Sequence, residues 1–414
     1  MTGFPVVVVG AGPAGLVLAN VLHRAGVPVE VLERRSRAEV ETQARAGLVE
    51  HRVVEYLREH GLADGLLAAA GRHDWCEFRV LGERFRVPYG ELSGGASHRV
   101  YPQQFLVRDL IASLEAAGGA VRFGTPALAV ETAGGRPRVH GADGVREAGY
   151  VVGCDGPDST VARAFPAGSV VERRYPYDWL TVLAEVDRPV DGVRYALHEA
   201  GFAGMMPRTP RLARCYLQVP ADADSAAWPE TRITEQLLVR LGGVAEDPRL
   251  GAVVESSMLR LRGRVRERLC ADRLFLAGDA ARVLTPSGAK GMNSAVADVA
   301  DLADCLVRRY RDGDPDGLAG YEHRRREASW AAQEFSDRLL DLLHLPPDAA
   351  TAFTLRLRRQ RIARLAAPGP EAEAFARVYA GAGRLDGGPP ARVPGQGDAA
   401  GSARETVAGE QACP

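Results

Sequence analysis

The chain has 414 residues, 46% hydrophobic and 25% charged, with 52 basic residues against 53 acidic ones. That length allows a large core and more than one domain, and a net charge of −1 gives no global argument for nucleic acid or an acidic membrane as a partner, so neither is expected. No apolar run reaches the ~20 residues of a spanning helix. The scattered cysteines Cys76, Cys154, Cys215, Cys270, Cys305 and Cys413 show no CxxC or metal spacing, which points to free thiols in the cytoplasm and no metal.

In chain order, the apolar run at 5–9 predicts a buried strand, 14–25 an amphipathic helix and 27–33 a second strand, together a βαβ unit. Residues 48–67 and 105–117 read as helices, and 120–124 as a strand followed by hairpin strands to about 146. The stretch YVVGCDG at 150–156 is an apolar strand ending in Asp-Gly. From about 170 to 220 the pattern alternates, as in WLTVLAEV and ARCYLQVP, which predicts an antiparallel sheet. A helix at 232–242 and a strand near 252–262 follow. RLFLAGDAA then returns to the buried strand type. Helices are expected at 288–311, 317–343 and 348–366, and the Gly/Pro/Ala-rich end from 381 reads as a disordered tail.

Two glycine-marked strand–helix turns lie far apart. In VGAGPAG, Gly10, Gly12 and Gly15 fit GxGxxG. The first allows the tight turn, the second lets the backbone approach a pyrophosphate, and the third lets helix and strand pack. The helix N-terminus, opening at Ala14, adds free amides and dipole. Glu33 ends the second strand where an acid meets a ribose hydroxyl pair. One such turn would serve NAD. The second, AGDAA at 277–281, suits the longer FAD, with Asp279 placed for a ribityl hydroxyl and the helix near Gly288 aimed at the flavin pyrimidine edge. The fold class is therefore α/β and α+β: a discontinuous Rossmann-like FAD-binding domain (1–72, 98–169, 265–312), an inserted antiparallel-sheet substrate domain (73–97, 170–264), C-terminal helices (313–380) and the tail (381–414).

The set GAGPAG, CDG at 154–156 and GDAA at 278–281 resembles the single-component flavoprotein aromatic hydroxylases. RAGLVEH at 45–51, YPYDWL at 175–180 and TPSGAKGMN at 285–293 are similar to blocks of that family's 4-hydroxybenzoate hydroxylases. The resemblance runs to about residue 380. It implies FAD contacts from Arg34, Arg45, Gln103, Asp155, Asp279, Gly291, Met292 and Asn293. It also implies that Arg208 and Tyr216 grip a substrate carboxylate, with Arg214 in support. Tyr195 and Tyr379 would relay the phenolic proton, and the Pro286 carbonyl would lie near the hydroxylation site. The implied reaction is hydroxylation of a small aromatic carboxylic acid by O2 through a flavin C4a-hydroperoxide, with NADPH or NADH as co-substrate.

The chain departs from the family at Met206, where a serine contacts the carboxylate, and at Arg282 and Thr285, which replace a histidine and a proline expected near flavin and substrate. Met206 suggests a substituted acid such as 3-amino-4-hydroxybenzoate, with plain 4-hydroxybenzoate as the alternative. Arg34, Arg35 and Arg262 favour NADPH, whereas Asp158, Glu39 and Gln43 depart from the family's NADPH site. A halogenase on this fold would carry WxWxIP, but Trp75, Trp179, Trp228 and Trp330 stand isolated. A catalytically idle FAD-binding protein would not need the tyrosine pair and Arg208. The region 317–380 offers a homodimer face.

Overall fold

A computed structural model describes residues 3–43, 47–132, 135–166, 168, 170–243, 247–346 and 349–385. The first sheet has six strands in the order Cys270–Ala271, Leu274–Leu276, Tyr150–Gly153, Val6–Val9, Val29–Leu32 and Val121–Arg122. All neighbours are parallel except the first pair. Val6–Val9 is buried at every position, as a central parallel strand covered on both faces must be, so it is an unbroken valine run without alternation. Helix Pro13–Arg24 follows it, and its buried positions include Leu16, Val17 and Asn20.

The second sheet has seven strands. Their order is Leu250–Leu259, Tyr177–Val186, Leu212–Pro220, Gly201–Thr209, Val193–His198, Cys76–Val80 and Glu83–Val87. Its two faces carry different cores. One face bears Phe78, Tyr195, Phe202, Tyr216 and Trp179 and packs against Phe335, Leu339 and Tyr379 of the C-terminal helices. The other bears Val182, Ala203 and Met205 and is covered by Ile233 and Leu237 of helix Glu230–Leu241.

Most expected elements are present, with two corrections. The single helix expected over 48–67 is a short strand, Leu48–Val49, then helices His51–Glu59 and Asp64–Ala69. Gly61, at φ +63°, turns the chain between them. The strand expected near 252–262 is two strands, Leu250–Leu259 and Arg262–Arg266. The last helix, Pro370–Ala380, ends on Gly381 in the left-handed region, and most of the expected tail (386–414) lies outside the described residues. Among the described residues the five cysteines are free thiols, no group of three or more potential ligands could hold a metal, and no helix is long and apolar enough to cross a membrane.

Candidate active site

The N-terminal turn is built by close approach. A Cβ on Gly10 would overlap the Cys154 carbonyl oxygen, and one on Gly15 would overlap the Gly10 carbonyl oxygen. Gly12 instead faces open space and caps helix Pro13–Arg24 without a side-chain bond, which leaves the helix amides available. Glu33 is buried at the tip of the second strand. Its carboxylate accepts from the Ala11 amide at 2.8 Å and the Arg35 amide at 2.9 Å.

The distant GDAA turn arrives beside this one. Gly278 (φ +62°) sits where a Cβ would lie 3.1 Å from the Ala295 methyl and 3.9 Å from that of Ala14. Its amide donates to Asp298 at 2.9 Å. Asp298 is fully buried and pairs with Arg282 and Arg325, each at 2.8 Å. Arg282 is a buried strut beneath the turn. An ion in that position needs a full counter-charge. Helix Lys290–Arg311 starts nearby on Ala289 (φ +56°) with no side-chain cap, and Gly291 faces open space.

Two uncapped helix N-termini, each fronted by a glycine facing open space, thus lie close together. They fit a long ligand with an anionic middle and an electron-rich ring. Asp155 adds an unsatisfied acceptor. Its Oδ2 takes the Thr160 amide at 2.7 Å, while Oδ1 is buried without a partner and burial raises the carboxyl above its ordinary value. Asp279 and Met292 are half-buried, as is Gln103, which opens helix Gln103–Ala116. Arg34 is exposed. Arg45 lies outside the described residues.

Asn293 is fully buried, and its side chain is engaged with the backbone: Oδ1 accepts the Glu50 amide at 2.9 Å, and Nδ2 donates to Leu48 at 3.0 Å and Ala289 at 2.7 Å. It pins the Leu48–Glu50 segment to the helix start. The Pro286 carbonyl accepts from the Ala289 amide at 3.0 Å within the same turn.

Tyr195 and Tyr379, 184 positions apart, meet hydroxyl to hydroxyl at 2.8 Å in a buried position. Burial pushes the Tyr195 phenol up, and that of Tyr379 well up, so neither holds a negative charge at neutral pH. Arg208, Arg214 and Tyr216 stand close together on the paired strands Gly201–Thr209 and Leu212–Pro220. Burial, then the nearby Arg214, push the Arg208 guanidinium below its ordinary value. Arg208 donates to Gln104 at 3.0 Å, which ties the second sheet to the helix that opens at Gln103.

The motifs did not reveal the setting of Tyr379. The buried Cys76 thiol lies beside it, and Tyr89, His98 and Phe375 pack on its ring with centroids 5.0, 5.1 and 5.3 Å away. His98 Nε2 lies 2.9 Å from the Tyr379 carbonyl oxygen, so this nitrogen carries the proton. Burial, then Lys290, push His98 down to about 3, so it is neutral. Lys290 donates to Glu50 at 2.6 Å and to the carbonyls of Val378 at 2.5 Å and Tyr379 at 3.3 Å. Both side chains of this pair are essentially fully buried. Burial alone would raise the Glu50 carboxyl, but Lys290 and Arg52 overcome it and hold the carboxyl below its ordinary value. Lys290 is the chain's single lysine, a signal that was legible in an arginine-rich sequence. Three divergent acceptors suit a compact ammonium better than a planar guanidinium.

Comparison with known proteins agrees with this architecture. The family model described as "FAD binding domain" matches residues 3–336. The chain belongs to the FAD-dependent aromatic hydroxylases. It is 32% identical to the p-hydroxybenzoate hydroxylase of Acinetobacter baylyi, over 82% of this chain and 86% of that one. It is 34% identical to the aklavinone 12-hydroxylase of Streptomyces purpurascens, over 78% of this chain and 66% of that protein's length. Among solved structures, aklavinone-11 hydroxylase in complex with FAD and aklavinone superposes with a TM-score of 0.70 at 28% identity, covering 84% of this chain and 70% of that one. The hydroxylase thus binds FAD, which fits the paired turns described above.

Proposed function

We propose that this hydroxylase acts on a 4-hydroxybenzoate-type acid, using O2 and NAD(P)H, and that its substrate carries an added ring group, as in 3-amino-4-hydroxybenzoate. The observation that carries the reading is the Tyr195–Tyr379 hydroxyl pair opposite a basic end made by Arg208, Arg214 and Tyr216. Tyr195 and Tyr216 stand on strands two apart in register, through Gly204, roughly 10 Å from backbone to backbone. A phenol and a para carboxylate, at opposite ends of one ring, suit that spacing.

Bound FAD, once reduced by the nicotinamide, supplies the activation of O2 that side chains cannot. Tyr195 accepts the substrate's phenolic proton as it gives its own to Tyr379, and Tyr379 passes its own proton onward toward solvent. Deprotonation raises electron density at the ring carbons beside the oxygen. Because burial keeps both tyrosines neutral, the proton moves through the pair without resting as a charge on either. The Arg208 charge holds the carboxylate, and burial of the site keeps water from the reacting centre. Met206 offers no hydroxyl to the carboxylate and yields to bulk, which favours a substituted ring. Plain 4-hydroxybenzoate is the second reading, favoured by the likeness to p-hydroxybenzoate hydroxylase.

For the nicotinamide we favour NADPH, since exposed Arg34 and Arg262 can meet a 2′-phosphate. Two departures from the family's NADPH site are otherwise engaged: Gln43 accepts from Arg35 at 2.7 Å and Glu39 forms a capping box with Ser36. We further propose a homodimer through the 317–380 helices, which a native mass measurement tests. The deciding experiment supplies the yellow protein with NADPH or NADH, O2 and a panel of hydroxybenzoates, and reads product mass and regiochemistry. Absence of any hydroxylated benzoate defeats the reading.

A further inference from the structure

We infer that Tyr216, Trp179, His344, Tyr177 and Tyr175 form a path along which an oxidising equivalent leaves the active site for the surface, and so spares the site from oxidation. The path rests on the proposed function only where it places Tyr216 at the substrate. Its other steps need only the oxygen chemistry of an FAD-dependent hydroxylase. In YPYDWL the aromatic residues recur at every second position, 175, 177 and 179. Residues two apart on a strand share a face, so this block lays an aromatic stripe along the start of strand Tyr177–Val186. All three rings are buried in one cluster with Tyr216.

His344, just past helix Tyr321–Leu343, makes the row continuous. Trp179 packs on Tyr216 with ring centroids 4.7 Å apart. The His344 ring stacks on Trp179 at 5.6 Å and 11° and on Tyr177 at 4.8 Å and 17°, so one imidazole bridges two rings of the stripe. Tyr177 meets Tyr175 at 6.1 Å. Neighbouring rings at these separations exchange an electron without crossing solvent.

Both ends of the stripe also have a base in place. An oxidised indole or phenol is strongly acidic, so a hydrogen-bonded acceptor lowers the cost of taking its electron. Trp179 Nε1 donates to His344 Nε2 at 2.6 Å. His344 Nδ1 lies 3.2 Å from the Leu340 carbonyl oxygen and carries the ring proton, which leaves Nε2 as the acceptor. The Tyr175 hydroxyl donates to Asp337 at 2.6 Å. Asp337 pairs with Arg173 at 2.7 Å, and the Arg173 side chain is 59% exposed, so this end of the row reaches solvent.

The oxidant is an oxyl radical, formed when reduced oxygen escapes without hydroxylating the substrate. It takes one electron from Trp179 across the Tyr216 ring and becomes the oxyanion. Trp179 passes its Nε1 proton to His344. An electron from Tyr175 then refills Trp179 through Tyr177 and His344, and His344 returns the proton. The phenolic proton of Tyr175 goes to Asp337. The net exchange leaves a phenoxyl radical at Tyr175 and a protonated Asp337 in place of the oxyl radical and the carboxylate. A small one-electron reductant at the surface, such as ascorbate, returns the electron, and Asp337 returns the proton.

The test reduces FAD-loaded protein anaerobically, mixes it with hydrogen peroxide, freezes it and records the electron paramagnetic resonance spectrum. Ring-deuterated tyrosine identifies a tyrosyl signal, and FAD content checks folding. Wild type should show that signal, and Tyr175→Phe and Trp179→Phe should lose most of it. Asp337→Asn should weaken it, because an amide is not a base. In air with excess reductant and no aromatic acid, Tyr175→Phe should lose FAD binding with a half-life about threefold shorter or more. Peptide mass should then place the oxidation at Trp179, Tyr216 and Met206. A wild type without a tyrosyl radical overturns the path, as does a Tyr175→Phe signal equal to that of wild type. An unchanged signal in Asp337→Asn overturns its surface end. If Trp179→Phe fails to hold FAD, Tyr175→Phe, which keeps its ring, decides alone. A wild type that hydroxylates no benzoate defeats the proposed function but not this path, because the test needs no substrate.

Discussion

Replacing Lys290 by methionine removes one partner of a buried ion pair and keeps the length of the side chain. Glu50, fully buried, is then left with Arg52 alone, which holds Oε2 at 2.8 Å from a position 31% exposed. Stranding one member of a buried pair costs about 3–5 kcal/mol, and the remaining contact to Arg52 puts the expectation near 3 kcal/mol. With a urea m-value of about 3 kcal/mol/M, the unfolding midpoint should drop by about 1 M at pH 7.5, followed by tryptophan fluorescence. The pH dependence has a definite sign. In the wild type the Glu50 carboxyl is held below its ordinary value, so its pairing stabilises above about pH 4.3 and is lost only as pH falls through the lower native value. In the variant, burial prevails and the carboxyl takes up its proton at higher pH. The deficit should therefore be full at neutral pH and shrink towards about pH 5. Adding Glu50→Gln should recover most of the loss, since both charges are then gone. A Lys290→Met protein within about 0.5 kcal/mol of wild type at pH 7.5, or a double variant less stable than the single one, would refute the argument.

Three further outcomes are expected. Gly15→Ala drives a methyl into the Gly10 carbonyl, so the purified protein should be colourless, with no 450 nm band at wild-type expression. Tyr379→Phe breaks the 2.8 Å hydroxyl contact and should slow product formation by about 100-fold in single turnover while substrate affinity changes little; an unchanged rate removes the relay. Arg208→Ala should weaken a benzoate by about 1.5–3 kcal/mol, roughly 10–150-fold in Kd, but leave the uncharged 4-hydroxybenzamide nearly unaffected; equal losses for both would mean that Arg208 does not read the carboxylate.

The backbone devices were legible because local chemistry dictates them. Gly10, Gly12 and Gly15 need their spacing for reasons internal to one turn, and the valine run before them could only be a covered strand. The Tyr195–Tyr379 pair was reachable only through the family resemblance, since no spacing rule joins residues 184 apart. The buried ion pair of Arg282 was not legible, because its partner Asp298 lies two turns into helix Lys290–Arg311, whose packing no local pattern reveals. His98, Cys76 and Tyr89 escaped for the same reason: each is an ordinary strand or helix residue until the sheet and the last helix converge on Tyr379.

The solitary ammonium of Lys290 has a practical corollary. A protease that cuts only after lysine has one target bond in the whole polypeptide, Lys290–Gly291, at the first turn of the longest helix of the flavin site. Cleavage there requires that turn to unravel, so the rate of a single scission reports how often the cofactor cradle comes apart. Comparing that rate with and without added FAD converts one buried side chain into a gauge of how firmly the pigment closes the enzyme.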